Sequence, residues 1–143
     1  MKKRIILSGI VATVLATAGF VTIGALPASA AYQCQDNQVC FYEKANYTGT
    51  VYVPGEMSNN SGQVDQFLIR WFSNGTNVDN RVTSIVNNTG WCVVVYRGPY
   101  FRDDNGVESG WLIRPDRGEN LWGTDYDNRI SSARFHWRQE GCP

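Results

Sequence analysis

Beyond residue 31 the chain never carries apolar residues at helical spacing for a useful length. Short runs rich in Val, Ile, Tyr, Phe and Trp alternate instead with clusters of Gly, Asn and Asp. The runs predicted as strands are VCFYE (39–43), TVYVP (50–54), QFLIRWF (66–72), VTSIVN (82–87), WCVVVY (91–96), GWLIRP (110–115) and ISSARFHW (130–137). Turns are expected at NYTG, NNSG, SNGTN, NNTG, DDNG and DRGEN, because Gly, Asn and Asp tolerate the backbone angles that tight turns require. The pattern is all-β, a sandwich of about seven or eight strands.

Residues 5–26, IILSGIVATVLATAGFVTIGAL, break that pattern. They follow a basic MKKR and precede PASA, which places Ala28 and Ala30 where a signal peptidase takes small residues. Residues 1–30 are therefore expected to be a signal peptide removed after Ala30, an uncleaved anchor being the alternative that the length of the run allows. Lipid attachment at Cys34 is not expected, because AYQ before it lacks the usual Leu and small residue. Residues 31–143 then form one secreted, extracellular domain, expected to be a monomer without membrane attachment. The whole chain has 13 basic and 13 acidic residues, and Lys2, Lys3 and Arg4 leave with the leader. The remaining acidic excess argues against a nucleic-acid or anionic-membrane partner.

Reading backwards from two polar hexapeptides exposes a duplication. DNRVTS occupies 79–84 and DNRISS 127–132, each opening into an apolar run. Upstream of the first lie Tyr42, Tyr47 and Gly49; upstream of the second, at the same spacing, lie Tyr96, Phe101 and Asp103. Each half runs aromatic hairpin, strands, hexapeptide, from about 38 to 88 and from about 91 to 138. Neither half can close a core alone, and packing the two face to face would bury both.

The four cysteines, Cys34, Cys40, Cys92 and Cys142, all lie in the expected exported part. An even count outside the cell reads as two disulfides, with three possible pairings. Cys34 with Cys40 is preferred because CQDNQVC closes a short polar loop, leaving Cys92 with Cys142 to tie the last residues to a central strand. Zinc fits less well, since no Cys-x-x-Cys pair is present and the single histidine, His136, has no cysteine beside it.

The spacing aromatic, four residues, aromatic, one residue, Gly, together with the hexapeptide Asp-Asn-x-x-Ser/Thr-Ser, resembles the folded hairpin and calcium clamp of microbial βγ-crystallins. The resemblance covers nearly all of residues 31–143 and implies a sandwich of two Greek-key motifs that binds two structural Ca²⁺ ions. The implied ligand residues are Asp79, Asn80, Thr83 and Ser84 in the first clamp and Asp127, Asn128, Ser131 and Ser132 in the second. Crossed clamps sharing both ions, joined by backbone oxygens of Glu43 and Arg97, are also implied. Asp103 departs from the pattern at the Gly position, so the second hairpin is expected to be distorted or extended, with DDNGVESG as an insertion.

Calcium also follows from the donors. Ca²⁺ takes six to eight oxygens from carboxylates, amides, hydroxyls and carbonyls, and DNRxxS is dense in all of them. Adjacent hydroxyls point to opposite faces if a strand begins there. Counting by twos from Ser131 reaches Ala133 and Phe135, so Ser131 is expected to lean toward the core and Ser132 toward the loop. One hydroxyl would hold the hairpin and the other the ion. A single Asp-Asn before a strand is ordinary turn chemistry; two copies at matched positions in a duplicated frame are what suggest an ion.

Tyr42, Tyr47, Tyr96 and Phe101 are expected to be hairpin and core aromatics, and the tryptophans core filling. Asn46, Asn59, Asn74 and Asn87 begin glycosylation sequons but read as Asn-rich loops. His136 is expected on an exposed strand face. Catalysis has little support: no nucleophile elbow or paired histidines accompany His136, and the carboxylates Asp125 and Asp127, a pair of the kind that cleaves glycosides, lie in or beside a clamp. The stretch CQDNQVCFYEKANYTG, after a leader and with two disulfides, resembles the actinobacterial secreted metalloproteinase inhibitors. That resemblance implies a rigid inhibitor of a secreted zinc protease. The rival readings are a calcium-hardened structural or stress protein and a sugar-binding module.

Overall fold

The computed structural model describes residues 31–57, 62–138 and 142; the expected leader at 1–30 and Asn59 lie outside the described residues. The strands are β1 Val39–Lys44, β2 Thr48–Tyr52, β3 Gln63–Val64, β4 Ser84–Asn87, β5 Trp91–Tyr96, β6 Trp111–Ile113, β7 Arg117–Asn120 and β8 Ser132–Arg138. They form two four-stranded sheets, ordered β2-β1-β4-β7 and β3-β8-β5-β6, with antiparallel neighbours throughout. Each half gives three strands to one sheet and one to the other. β3 of the first half pairs with β8, and β7 of the second pairs with β4. The halves are interlocked Greek keys, so each completes the other's sheet.

Strand alternation sorts the side chains. On β1, Val39 and Phe41 enter the main core, with Ile85, Val93, Val95, Ile113 and Ala133 of other strands. Cys40 and Tyr42 point the other way, into a smaller cluster with Val51, Tyr47, Val86 and Cys34. Both preferred disulfides, Cys34–Cys40 and Cys92–Cys142, are formed. No helix among the described residues is long and apolar enough to cross a membrane.

Two segments differ from expectation. QFLIRWF is not a strand: Phe67–Ile69 form a 3-10 turn, and only Phe67 and Phe72 are buried, while Leu68, Ile69 and Trp71 are exposed. Buried positions five apart fit no strand face, and the apolar run concealed this. DRGEN, expected as a turn, supplies β7, whose pairing with β4 is a backbone ladder with mostly exposed side chains. Gly118 in it is required by close approach, since a Cβ there would lie 2.6 Å from the Tyr47 hydroxyl oxygen. Three tryptophans also depart from the core-filling role: Trp71, Trp111 and Trp122 are exposed, and Phe, Val and Ile fill the space between the sheets.

Tyr52, packed on Phe41 and Phe67, gives the fold an alkaline limit. Burial above all, with the Glu56 carboxylate adding to it, pushes its phenol from 10.0 up to about 12. A raised folded-state value means its contribution is intact below pH 10 and is lost as pH rises toward 12. Two pK units correspond to about 2–3 kcal/mol. A Tyr52→Phe variant is expected to lose less stability than the parent between those pH values; identical alkaline profiles would refute this.

Candidate functional site

The two aromatic hairpins are superimposable in their chemistry. After β1 the chain folds back through Asn46 and Tyr47, both left-handed at φ 56° and 59°; after β5 it does so through Tyr100 and Phe101, at 56° and 62°. Aromatic residues rarely adopt positive φ, and such backbone persists only where neighbours hold it. The second aromatic of each hairpin lies edge-on to the first, Tyr47 to Tyr42 at 6.2 Å and Phe101 to Tyr96 at 5.8 Å between ring centres. A hydroxyl from the hexapeptide pins each fold. Ser84 Oγ donates to the Lys44 carbonyl at 2.6 Å and accepts from the Tyr47 amide at 2.9 Å. Ser132 Oγ donates to the Gly98 carbonyl at 2.7 Å and accepts from the Phe101 amide at 3.1 Å.

Of the two hydroxyls, Ser132 thus holds the second hairpin, on the loop side expected of it, which leaves Ser131 to the clamp. β8 begins at Ser132, so Ser131 lies ahead of the ladder and its direction does not follow the alternation counted back from Ala133. Ser132 is fully buried beneath the hairpin that folds over it. Ser131, like Thr83 in the first half, faces the opposite clamp instead.

The clamps cross. The Asn80 amide donates to the Ile130 carbonyl at 3.0 Å, and the Asn128 amide to the Val82 carbonyl at 3.0 Å. Thr83 Oγ1 lies 3.3 Å from Asn128 Oδ1, and Ser131 Oγ lies 3.4 Å from Asn80 Oδ1. Within each clamp the amide side chain braces its neighbour, Asn80 Nδ2 to Asp79 Oδ2 at 2.9 Å and Asn128 Nδ2 to Asp127 Oδ1 at 3.0 Å. Asn80 and Asn128 are both left-handed, at φ 55° and 54°. The second residue of each hexapeptide is thus Asn for a backbone reason, whatever its side chain holds.

Two oxygen groups result, one from Thr83 and the second clamp, the other from Ser131 and the first clamp. Asp79 and Asp127 are half-buried, whereas Asn80 and Asn128 are exposed. Such donors, one carboxylate per clamp with amide and hydroxyl oxygens, suit a hard cation. Among the described residues no three His, Cys, Asp or Glu side chains gather, so neither group is a carboxylate cage: each has one carboxylate, and its other oxygens come from amides and hydroxyls. Thr83 is bonded to the first hairpin, its amide donating to the Tyr42 carbonyl at 2.9 Å, and Ser131 repeats this with Tyr96 at 2.9 Å. Glu43 and Arg97, next in chain to those tyrosines, therefore stand beside the two groups. The Glu43 carboxylate accepts from Thr50 Oγ1 at 3.1 Å. Arg97 pairs with Asp104 at 3.5 Å and lies over the Tyr126 ring.

The second hairpin carries its loop without strain at Asp103. Its carboxylate accepts from the Asn105 and Val107 amides, each at 2.9 Å, and Gly106 takes the left-handed angle, φ 78°. Gly49, at the matching place in the first hairpin, is itself left-handed at φ 78°. Asp104 also pairs with Arg129 of the second clamp, tying the insertion down. Asn87, a predicted loop residue, is buried and donates to the Trp91, Ile113 and Arg114 carbonyls. His136 is exposed on β8 as expected.

The fold is that of βγ-crystallin domains. A structure described under the evolution of the eye lens βγ-crystallin domain fold is 13% identical, over 74% of this chain and 92% of its own, with a TM-score of 0.56. A βγ-crystallin from Ciona intestinalis is 17% identical, over 69% of this chain and 99% of its own, at 0.51. A βγ-crystallin domain from Clostridium beijerinckii is 22% identical, over 69% and 97%, at 0.49. No curated protein matches the sequence. The sequence model of peptidase inhibitor family I36 matches residues 27–108.

Proposed function

The chain belongs to peptidase inhibitor family I36, and from that premise we propose that it is an exported inhibitor of secreted metalloproteases, built on a βγ-crystallin body with two structural Ca²⁺ sites. It is not an enzyme; its family is one of inhibitors. The observation that carries the reading is the family match, which spans the first hairpin, the first clamp and the Cys34–Cys40 loop. An inhibitor must bind its target without becoming a substrate. Interlocked sheets and two cross-links favour that by removing the local unfolding a protease needs to thread a chain through its cleft.

Calcium belongs to the same proposal. Thr83, Asp127 and Asn128 would hold one ion, and Ser131, Asp79 and Asn80 the other, with the carbonyls of Glu43 and Arg97 completing them. The spacing of the donors supports it. Two oxygens at right angles on one Ca²⁺, each about 2.4 Å away, lie about 3.4 Å apart. Thr83 Oγ1 to Asn128 Oδ1 and Ser131 Oγ to Asn80 Oδ1 measure 3.3 and 3.4 Å, longer than a good hydroxyl hydrogen bond. The ion would supply rigidity and no chemistry. Ser84 and Ser132, engaged in the hairpins, are left out of the ligand set. Removal of residues 1–30 on export is part of the proposal, and N-terminal sequencing should begin at Ala31.

The test is titration of the purified protein against a panel of secreted metalloproteases, with serine proteases as controls. Inhibition near one-to-one, with the inhibitor recovered largely intact, is expected. Rapid degradation, or no effect across the panel, would sink the inhibitor reading. The exposed Trp71 and Trp122 favour the sugar-binding alternative as the next to try, by retention on polysaccharide.

A further inference from the structure

Residues 66–77 carry an apolar surface that the fold does not use. Leu68, Ile69 and Trp71 are 63, 48 and 58% exposed, within four residues of one another. Three large apolar side chains held outward together are unusual for a surface and mark an interaction site more often than chance. Their mounting is rigid. Phe67 and Phe72 plug the core on either side, and the Phe67 amide donates to the Ser131 carbonyl at 2.8 Å. Asn77 Nδ2 reaches across to the carbonyls of Leu68, at 2.7 Å, and Arg70, at 3.1 Å, while the Ser73 amide ties the far side to the Val51 carbonyl at 2.9 Å. Tyr100, 56% exposed at the tip of the second hairpin, extends the surface: its hydroxyl accepts from Gln66 Nε2 at 2.6 Å, and its amide donates to the Asp65 carbonyl at 2.8 Å.

Resting on the inhibitor reading above, we propose that this loop is the surface that docks the target, and that the target is an endopeptidase with an apolar-lined cleft. Three observations select it. It lies inside the span that the inhibitor-family model matches, whereas the exposed Trp111 and Trp122 lie outside. It presents no charge for a basic-specific pocket, because the guanidinium of Arg70 turns back to Glu56 at 2.6 Å. It is also a poor substrate: Leu68 and Ile69 sit in a 3-10 turn rather than the extended strand a cleft would cut, and Asn77 occupies the Leu68 and Arg70 carbonyls. The loop therefore blocks by occupation, not by slow cleavage.

The test compares the full chain with Leu68→Asp, Trp71→Ala and the control Trp122→Ala, each shown by its melting curve to be folded, against the metalloprotease panel and trypsin. Both loop variants should raise the inhibition constant at least tenfold, Trp122→Ala should leave it within about twofold, and trypsin should be unaffected. Inhibition by the parent that survives both loop changes would overturn this docking site while leaving the inhibitor reading intact. Stoichiometric nicking between 67 and 72 in step with inhibition would overturn docking without cleavage. A parent that inhibits nothing on the panel would take both readings down together.

Discussion

Replacing Cys92 and Cys142 together by alanine is expected to cost the domain about 4 kcal/mol, roughly twice the cost of replacing Cys34 and Cys40. The difference follows from chain entropy. The first bridge closes residues 50 apart in sequence and the second only 6, and the longer loop takes more freedom from the unfolded chain. Position works in the same direction. Cys92 is fully buried on β5, which pairs with β6 and β8, so Cys142 fastens the chain beyond β8 to the middle of its sheet. Cys34 fastens a short segment to one end of β1, where the Asn88 side chain already holds its carbonyl at 2.8 Å. Non-reducing melts of the two double variants would measure both costs. Equal losses would mean that the unfolded chain is not where these cross-links act. For an inhibitor the longer bridge matters beyond stability, since a frayed β8 would release the Ser131 carbonyl that seats Phe67 and the exposed loop after it.

The fold was legible largely because the protein is written twice. Tyr42 to Tyr47 and Tyr96 to Phe101 share one spacing, and the structure folds both pairs through the same pair of left-handed residues. What the spacing could not convey was where the hexapeptide hydroxyls point. Alternation holds only within a ladder, and Thr83 and Ser131 stand just before β4 and β8 begin. QFLIRWF misled for a related reason: composition reports that residues are apolar, but only the packing of Phe67 and Phe72 against the core tells that the residues between them face solvent. β7 was invisible because an edge strand held by backbone bonds to Ser84–Asn87 needs no apolar face. The crossing of the clamps is a property of the two-sheet exchange, not of either hexapeptide. Asn80 can meet Ser131 only because each half lends a strand to the other's sheet.

Calcium is expected to raise the melting temperature on the order of 10 °C for each site filled, when free Ca²⁺ is a hundredfold above its dissociation constant. Binding to the folded clamps and not to the unfolded chain stabilises by mass action, about 2.7 kcal/mol per site at that excess, which in a domain of this size corresponds to a shift of that order. The geometry divides the hexapeptide hydroxyls into two classes with opposite signatures. Thr83→Val and Ser131→Ala remove oxygens that face the opposite clamp at 3.3 and 3.4 Å, so they should shrink the calcium-dependent rise and leave the melt in chelator nearly unchanged. Ser84→Ala and Ser132→Ala strip the partner from one hairpin amide and one carbonyl, at 2.6 to 3.1 Å, and should lower the melt by about 1–3 kcal/mol with or without calcium. Magnesium should substitute poorly, because it demands tight octahedral geometry and parts reluctantly with water. If the parent melts identically in calcium and in chelator, the clamps are turns alone, and the left-handed Asn80 and Asn128 are reason enough for their sequence.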